Sequence, residues 1–466
     1  MALLLTIIGA GPGGYVAAIR AAQLGASVTL VENDSVGGVC LNRGCIPTKT
    51  LVSSAELLRH VRNAADLGIT VSGTVSYDLA KVRERKDKVV ATQVKGIRGL
   101  LKSWGVTLLE ARGSLLSEDV VRVVQKDGKT MDLRSDRIII ATGSRPSSIP
   151  GIVSDGEQIL TSDDAVKFKD VPASILIIGA GVIGSEFAFI YRAFGSEVIV
   201  ADLLPRALST EDQDISDIVE REFKKAKIKF LPGVKVETIV KSASGPMTVK
   251  LSNGQTLAVG KILVAVGRSM NTENLGFQDV PVATGRRGEI VVDDRMETSV
   301  PGIYAVGDVT GKMLLAHVAS HQGMVAAENC MGGNAHMDYR VVPAGIFTMP
   351  EAASVGMREH EATAAAMTVK VGRFPYRALG KAHAMGAIEG IVKVIADGSS
   401  GKVLGVHLCG AHATDLIHEG ALAVQLGATA KQVSELIHAH PTLAEGFMEA
   451  AGDVIGSAIH VPKPTK

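Results

Sequence analysis

Gly9-Ala10-Gly11-Pro12-Gly13-Gly14 is the stretch that decides the fold. It follows Leu3–Ile8, an apolar run that reads as a buried strand, and precedes Tyr15–Leu24, an alanine-rich stretch that reads as a helix closed by Gly25. A second strand, Val28–Val31, runs to Glu32. Alone, G-x-G-x-x-G is a weak pattern. Set between strand and helix, with an acid ending the next strand, it is a strong sign of a dinucleotide-binding βαβ unit. Gly9 is expected to make the turn, Gly11 to admit a pyrophosphate, and Gly14 to pack helix on strand. Backbone N–H groups at the helix start suit phosphate, and Glu32 suits a ribose hydroxyl.

The unit recurs. Ser174–Ile178 reads as a strand, Gly179-Ala180-Gly181-Val182-Ile183-Gly184 as the loop and Ser185–Phe194 as a helix ended by Gly195. Val198–Ala201 then runs to Asp202. Glu32 lies 23 positions after Gly9, and Asp202 lies 23 after Gly179. Two such units imply two dinucleotides and an α/β chain with two Rossmann-like domains. Each unit has a later closing strand: Arg137–Ile140 before Ala141-Thr142-Gly143-Ser144, and Lys261–Val264 before Ala265-Val266-Gly267-Arg268. Val106–Gly113 reads as a strand, and Val120–Gln125 with Lys129–Leu133 as a hairpin around Asp127-Gly128.

Length and composition bound the rest. The 466 residues suggest about three domains. Glycine supplies 51 of them, above the typical ~7% and in keeping with many tight strand-to-helix turns. A net charge of +1 gives no electrostatic case for nucleic acid or an anionic membrane. No run approaches the ~20 apolar residues of a membrane span, and the N-terminus lacks the basic start of a signal peptide. Four cysteines are too few for a secreted disulfide framework, so a reducing, cytoplasmic setting is expected. Cys330 and Cys409 sit among apolar residues and read as packing cysteines.

The other two cysteines lie in Gly37-Gly38-Val39-Cys40-Leu41-Asn42-Arg43-Gly44-Cys45-Ile46-Pro47-Thr48-Lys49. On a regular helix their Cα atoms would be ~7.5 Å apart, beyond the reach of a disulfide at about 7 Å. A bond between them needs an irregular turn, for which Gly44 supplies freedom and after which Pro47 fits an early helical position. The pair fits a local staple, two buried thiols or a redox couple. So short a loop removes little unfolded-chain entropy, so chemistry is the better reason for a bond there.

This stretch, set so soon after the first glycine loop, resembles the pyridine nucleotide–disulfide oxidoreductases, and the resemblance covers nearly the whole chain. It implies FAD in the first unit and NAD in the second. It implies contacts to FAD at Gly38, Lys49, Gly113, Thr142, Gly143, Ser144, Asp308 and Ala316. Asp308 ends Ile303–Asp308, a strand expected to return to the first domain; a turn or helix cap is its plainer alternative. Val236, Ala265, Gly267 and Arg268 join the second loop as NAD contacts. Glu186 is expected to pair with Lys49 near the flavin.

The likeness is greatest to the members that oxidise dihydrolipoamide. In His438-Ala439-His440-Pro441-Thr442-Leu443-Ala444-Glu445 it places an acid–base pair on His440 and Glu445. Histidine suits thiol proton transfer, and a carboxylate on its other nitrogen fixes the tautomer. Thr442-x-x-Glu445 is also a capping box, so Glu445 has a structural alternative. His438-x-His440 lacks spaced partners for a metal, and none is expected. Cys40 is implied as the interchange thiol and Cys45 as the thiol beside the flavin.

The implied domains are 1–147 with 271–338 for FAD, 148–270 for NAD, and 339–466 as a C-terminal α+β dimerisation domain. The implied partners are a second copy, lipoyl-carrying protein domains, and the acyltransferase core of a 2-oxoacid dehydrogenase complex or a lipoylated carrier. In the last domain, Ile391–Ala396 and Val403–Leu408 read as a hairpin, and Ala413–Leu426 and Ala428–Ile437 as helices, the second with a Thr429–Gln432 capping box. Thr50–Trp104 reads as mostly helical, with a solvated face. Two departures stand out. Asp202 replaces the usual Glu, and Ala378–His383 differs from the usual Asn-x-Arg-Ala-like stretch. A reductase using NADP would want basic residues where Asp202 stands.

Overall fold

The computed structural model describes residues 2–242 and 245–462. The chain forms two compact units. One holds Met1–Leu51, Leu79–Ser147 and Gly267–Asp338, and the other Val52–Asp78, Ser148–Val266 and Tyr339–Lys466.

The first unit is built on a sheet in the order Ile303–Ala305, Arg137–Ile140, Leu4–Ile8, Ser27–Glu32, Thr107–Ser117. These strands are parallel, and the hairpin Val120–Gln125, Thr130–Arg134 extends one edge. Ile7, Leu30 and Ile138–Ile140 are wholly buried, as the apolar runs require of a sheet covered on both faces. The strand order reverses at Leu4–Ile8, so the glycine loop after it lies at the switch point where open α/β sheets bind ligands.

Helix Pro12–Gln23 starts three residues earlier than the alanine-rich run suggested, inside the glycine motif. Pro12 fits a first helical position, where its missing N–H is no loss. The helix packs against Ala316–Cys330, and a Cβ on Gly323 would lie 2.4 Å from the Gly13 carbonyl oxygen. Thr50–Trp104 is helical only in Cys45–Arg62, a short 3₁₀ turn at Ala64–Leu67, and Leu79–Ser103. Gly68 and Gly73, both at positive φ, accompany the break.

The second unit repeats the architecture. Its parallel sheet runs Lys229–Leu231, Glu197–Ala201, Ser174–Ile178, Lys261–Val264, Ile159–Leu160. The antiparallel strands Val236–Val240, Met247–Leu251 and Thr256–Val259 share its core through Met247, Val249 and Val259. Helix Val182–Phe194 again begins inside its glycine loop, ahead of the expected Ser185, and Gly195 ends it in the left-handed conformation.

An antiparallel sheet, Ala344–Ile346, Ala352–Gly356, Val403–Cys409, Ile391–Asp397, Val369–Pro375, forms the C-terminal part. Phe374, Tyr376, Val394 and Phe447 fill its core. Helix Ala413–Leu426 ends at Gly427 as expected. The next helix is only Ala430–Glu435, shorter than the expected Ala428–Ile437. Its Thr429–Gln432 capping box is present, and the chain turns extended at Leu436, whose carbonyl lies 2.8 Å from the His438 ring. Among the described residues, no helix is long and apolar enough to cross a membrane.

Candidate functional site

The two glycine loops match almost atom for atom. Gly9 and Gly179 both have positive φ, and a Cβ on either would lie 2.4 Å from a carbonyl oxygen of the closing strand, Ala141 or Ala265. A Cβ on Gly14 or Gly184 would lie 1.8 Å from the carbonyl of Gly9 or Gly179. These four glycines are required by the protein's own backbone. Gly11 and Gly181 are different. A Cβ on Gly11 would meet only the Gly38 Cα, at 3.9 Å, and one on Gly181 would meet nothing within 4 Å. Their missing side chains leave open the side where a phosphate would approach the helix start, so both cradles fit a dinucleotide.

The acids repeat as well. Glu32 accepts the Ala10 N–H and the Asp34 N–H, both at 2.7 Å. Asp202 accepts the Ala180 N–H at 2.5 Å and the Leu204 N–H at 2.8 Å. Each carboxylate therefore anchors its own glycine loop, leaving remaining lone pairs for a ribose. Burial raises the Glu32 pKa despite these backbone bonds. Ile183 lies in the first turn of helix Val182–Phe194, and Val236 is buried at the start of its strand.

The cysteine stretch is docked on the first cradle. Gly37 donates its N–H to the Ala10 carbonyl at 2.8 Å. Gly38, at φ +59, lies so close to the loop that a Cβ would be 2.7 Å from the Gly11 Cα. A short helix, Gly38–Arg43, stops at Gly44, and Cys45 starts the next. This is the irregular turn the spacing required. It brings the Cys40 and Cys45 sulfurs to 2.6 Å, as thiols hydrogen-bonded to one another. The Cys40 thiol is pushed up by its bond to Cys45, then by burial and the Cys45 charge, while Lys49 pulls the other way.

Ser144, Asp308 and Arg268 come together. The Ser144 hydroxyl donates to Asp308 at 2.5 Å, and Arg268 Nε donates to the Ser144 oxygen at 2.7 Å. Sequence reasoning selected all three but not their meeting, and it grouped Arg268 with the second cradle. It missed Gln322, which is fully buried and accepts the Gly307 N–H at 2.6 Å, fixing the turn before Asp308. Ala316 is the first residue of its helix. A pocket of about 310 Å³ opens at the strand ends, lined by Gly9, Asn33, Gly113, Thr142, Asn271 and Glu273. Gly143 has positive φ, and its carbonyl accepts the Asn271 N–H at 3.0 Å. Gly267, also at positive φ, has its carbonyl on the Ser147 N–H.

In the second unit, His440 Nδ1 lies 2.9 Å from one oxygen of Glu445, whose other oxygen accepts the Thr442 N–H at 2.8 Å. Helix Glu445–Val454 begins at Glu445 itself, with Ala444 as its N-cap and no side-chain cap bond, so the expected Thr442–Glu445 capping box does not form, and Glu445 instead holds the Thr442 N–H and the His440 ring. Burial opposes its ionisation, but the Thr442 N–H and His440 outweigh it and hold the carboxyl below its usual range. The His440 side chain is 76% exposed and its Nε2 edge faces outward from this pair. His438 is packed against Glu419 at 2.8 Å with 5% of its side chain exposed, as a structural residue would be. Glu186 is buried and accepts the Phe347 N–H at 2.9 Å.

Residues 4–323 match the model of the pyridine nucleotide-disulphide oxidoreductase family, and residues 342–451 match that family's dimerisation domain. The chain belongs to this family. It is 43% identical over 463 residues to a dihydrolipoyl dehydrogenase of Chlamydia muridarum, covering 99% of this chain and 98% of that one. It is 42% identical to a dihydrolipoyl dehydrogenase of Bacillus subtilis, covering 98% of each. Among solved structures it is similar to LpdA from Mycobacterium tuberculosis, with a TM-score of 0.90 and 29% identity over 96% of this chain and 99% of that one. It is also similar to the HOCl-induced flavoprotein disulfide reductase RclA from Escherichia coli, as a Cu(II) complex, with a TM-score of 0.87 and 26% identity over 97% of this chain and 99% of that one.

Proposed function

We propose that this protein oxidises protein-bound dihydrolipoamide to lipoamide and passes the electrons through FAD to NAD⁺. The observation that carries this is the Cys40–Cys45 pair, 2.6 Å apart and pinned to a dinucleotide cradle through Gly37 and Gly38. The full-length likeness to the two dihydrolipoyl dehydrogenases supports the choice of substrate. FAD, held by residues 1–147 and 271–338, supplies a two-electron relay, and NAD⁺, held by residues 148–270, supplies the final acceptor.

The chain's own residues divide the work. His440 Nε2 takes a proton from one substrate thiol, while Glu445 fixes the tautomer and stabilises the imidazolium. The substrate thiolate attacks Cys40 Sγ of the oxidised pair, and Cys45 leaves as thiolate. The second substrate thiol attacks the substrate sulfur of the mixed disulfide, and its proton passes to the departing Cys40 sulfur. The cyclic disulfide forms, Cys40 leaves, and two electrons now reside on the cysteine pair. The proposed division of roles puts a proton on Cys40 and charge on Cys45, the thiol assigned to face the flavin. Lys49 would favour negative charge nearby, and Ser144, Asp308 and Ala316 would hold the flavin's tail and ring.

Residues 339–466 serve as the interface domain. His440 of one copy is assigned to the cysteines of the other, giving two equivalent composite sites in a twofold dimer. The high exposure of His440 in the single chain supports this. Lipoylated domains of a 2-oxoacid dehydrogenase or glycine cleavage complex are the proposed partners, in a cytoplasmic setting where free thiols persist. Steady-state NADH formation from dihydrolipoamide tests the proposal. A purified flavoprotein that makes no NADH from this substrate overturns it.

A further inference from the structure

Lys393 lies on strand Ile391–Asp397 with only 1% of its side chain exposed, and the proposed chemistry does not use it. Its ammonium lies 2.6 Å from Asp212, 2.7 Å from Asp214 and 2.6 Å from Glu359. Arg373 joins the group, 2.9 Å from Asp214 and 2.6 Å from Glu359. Burial works against the Lys393 charge, but the three carboxylates outweigh it and keep it protonated. These carboxylates have oxygens within 4.8 Å of one another. Arg373 pairs with Asp214 and Glu359, both partly exposed, whereas the buried Asp212 carboxylate is paired by Lys393.

The other end of this cluster reaches the second glycine loop. Asp212 caps helix Gln213–Lys225 and closes the turn that follows Asp202. Within that turn Leu208 is fully buried at φ +48, a left-handed conformation that residues with a Cβ avoid. Such strain persists only where the surroundings over-determine it. Here the Leu208 carbonyl accepts the Glu211 N–H at 2.8 Å and the Ser216 hydroxyl at 3.2 Å. Arg206 ties the carbonyls of Ser209 and Glu211 and the Ser216 hydroxyl into the same turn. The Leu208 N–H then donates to the Ala180 carbonyl at 2.9 Å. Ala180 sits between Gly179 and Gly181, with its N–H on Asp202. Its N–H is thus fixed by Asp202, and its carbonyl by the Ser185 hydroxyl at 3.0 Å together with a strained turn whose far end is held by Lys393.

We infer that Lys393 is a positioning residue for the second dinucleotide cradle, acting through Asp212 and Leu208 on Ala180. This rests on that cradle being the NAD⁺ site. Removing the Lys393 charge leaves the buried Asp212 carboxylate without its ion pair, while Arg373 still holds Asp214 and Glu359. Asp212 withdraws, Leu208 relaxes, and the Ala180 carbonyl keeps the Ser185 hydroxyl but loses the Leu208 N–H, the donor that ties the loop to this turn. Chemistry at the cysteines uses neither the turn nor the cluster, so it is spared.

The test uses the FAD-loaded protein carrying Lys393→Gln or Asp212→Asn. The second variant keeps the side-chain volume and an acceptor for the helix cap. NAD⁺ affinity is measured by calorimetric titration, turnover as KM and kcat for NAD⁺, and reduction by dihydrolipoamide in the absence of NAD⁺. The expected result is a rise of roughly tenfold in both Kd and KM for NAD⁺, equivalent to ~1.4 kcal/mol, with kcat and the reduction rate unchanged. Lys393→Arg should recover most of the affinity. Unchanged NAD⁺ affinity in both variants overturns the inference. Loss of folding or of FAD in both assigns Lys393 to the scaffold and overturns it equally. A wild-type protein that fails to bind NAD⁺ overturns the parent assignment of the cradle, which is a different failure from wild-type binding with unaffected variants.

Discussion

Glu445→Gln isolates the part played by the carboxylate behind His440. The wild-type carboxylate accepts from two donors at once, the His440 ring at 2.9 Å and the Thr442 N–H at 2.8 Å. A glutamine amide has one oxygen for these two donors, and its NH₂ must face the other. If the oxygen stays on Thr442, the amide NH₂ meets Nδ1 and favours the tautomer with its proton on Nε2, which can no longer act as a base. If it stays on His440, the Thr442 N–H loses its acceptor and the bond to the ring loses its charge. A hydrogen bond to a charged group contributes about 1.5–3 kcal/mol, or roughly 10- to 150-fold in rate. Inverting the tautomer raises the loss toward ~10⁴. Reduction by dihydrolipoamide, followed anaerobically by stopped-flow absorbance, should therefore slow by roughly 10- to 10⁴-fold. NADH-driven reduction of an artificial dye acceptor needs no thiol base and should be unchanged. Full-rate reduction by dihydrolipoamide, or an equal fall in the dye assay, would refute the role given to Glu445. The depressed Glu445 pKa adds a check on stability. Its contribution is present above the ordinary carboxylate range and lost as pH falls through the lower folded value. The wild type should thus lose more thermal stability on acidification through that window than Glu445→Gln does.

Three further outcomes are expected. Cys45→Ser should abolish the long-wavelength thiolate-to-flavin absorbance band of the two-electron-reduced protein, whereas Cys40→Ser should show it without reduction; the reverse pattern exchanges the roles of the two cysteines. With Asp202 assigned to the adenosine ribose, where it would repel a 2′-phosphate, kcat/KM should favour NAD⁺ over NADP⁺ by at least ~10-fold, and equal use of the two cofactors would remove that role. Heterodimers of Cys45→Ser with His440→Gln chains, selected by two tags, should regain about one wild-type site per dimer from two inactive parents. Verified heterodimers as inactive as their parents would argue against composite sites that work independently.

Much of this protein was legible in its sequence because local steric demands leave few choices. Gly9, Gly14, Gly179 and Gly184 each stand where a Cβ would strike backbone, so the pattern of glycines reports the turn directly. The apolar runs beside them reported a doubly covered parallel sheet, and Gly44 between Cys40 and Cys45 reported the break that lets two cysteines meet. Helix ends were less legible. Both fingerprint helices start inside the glycine loop, where intrinsic propensity argues against a helix and tertiary packing outweighs it. The helix after Thr429 stops short because the chain there is held by His438 and Glu419, a partner 19 residues away.

The sequence by itself determined the repeated βαβ units, their acids at Glu32 and Asp202, the redox spacing of Cys40 and Cys45, and the candidacy of His440 with Glu445. Only the tertiary structure decided which side chains share a partner. Ser144 meets Asp308 and Arg268 across separations of 164 and 124 residues, and Gln322 was invisible until it was found on Gly307. Nothing in the strand Ile391–Ala396 singled out Lys393, and only the fold brought three carboxylates from Asp212, Asp214 and Glu359 around it. The physical reason is range. Backbone sterics act between neighbours and leave a periodic trace, whereas a buried charge or hydrogen bond is satisfied by whatever the fold brings near, at no fixed spacing along the chain.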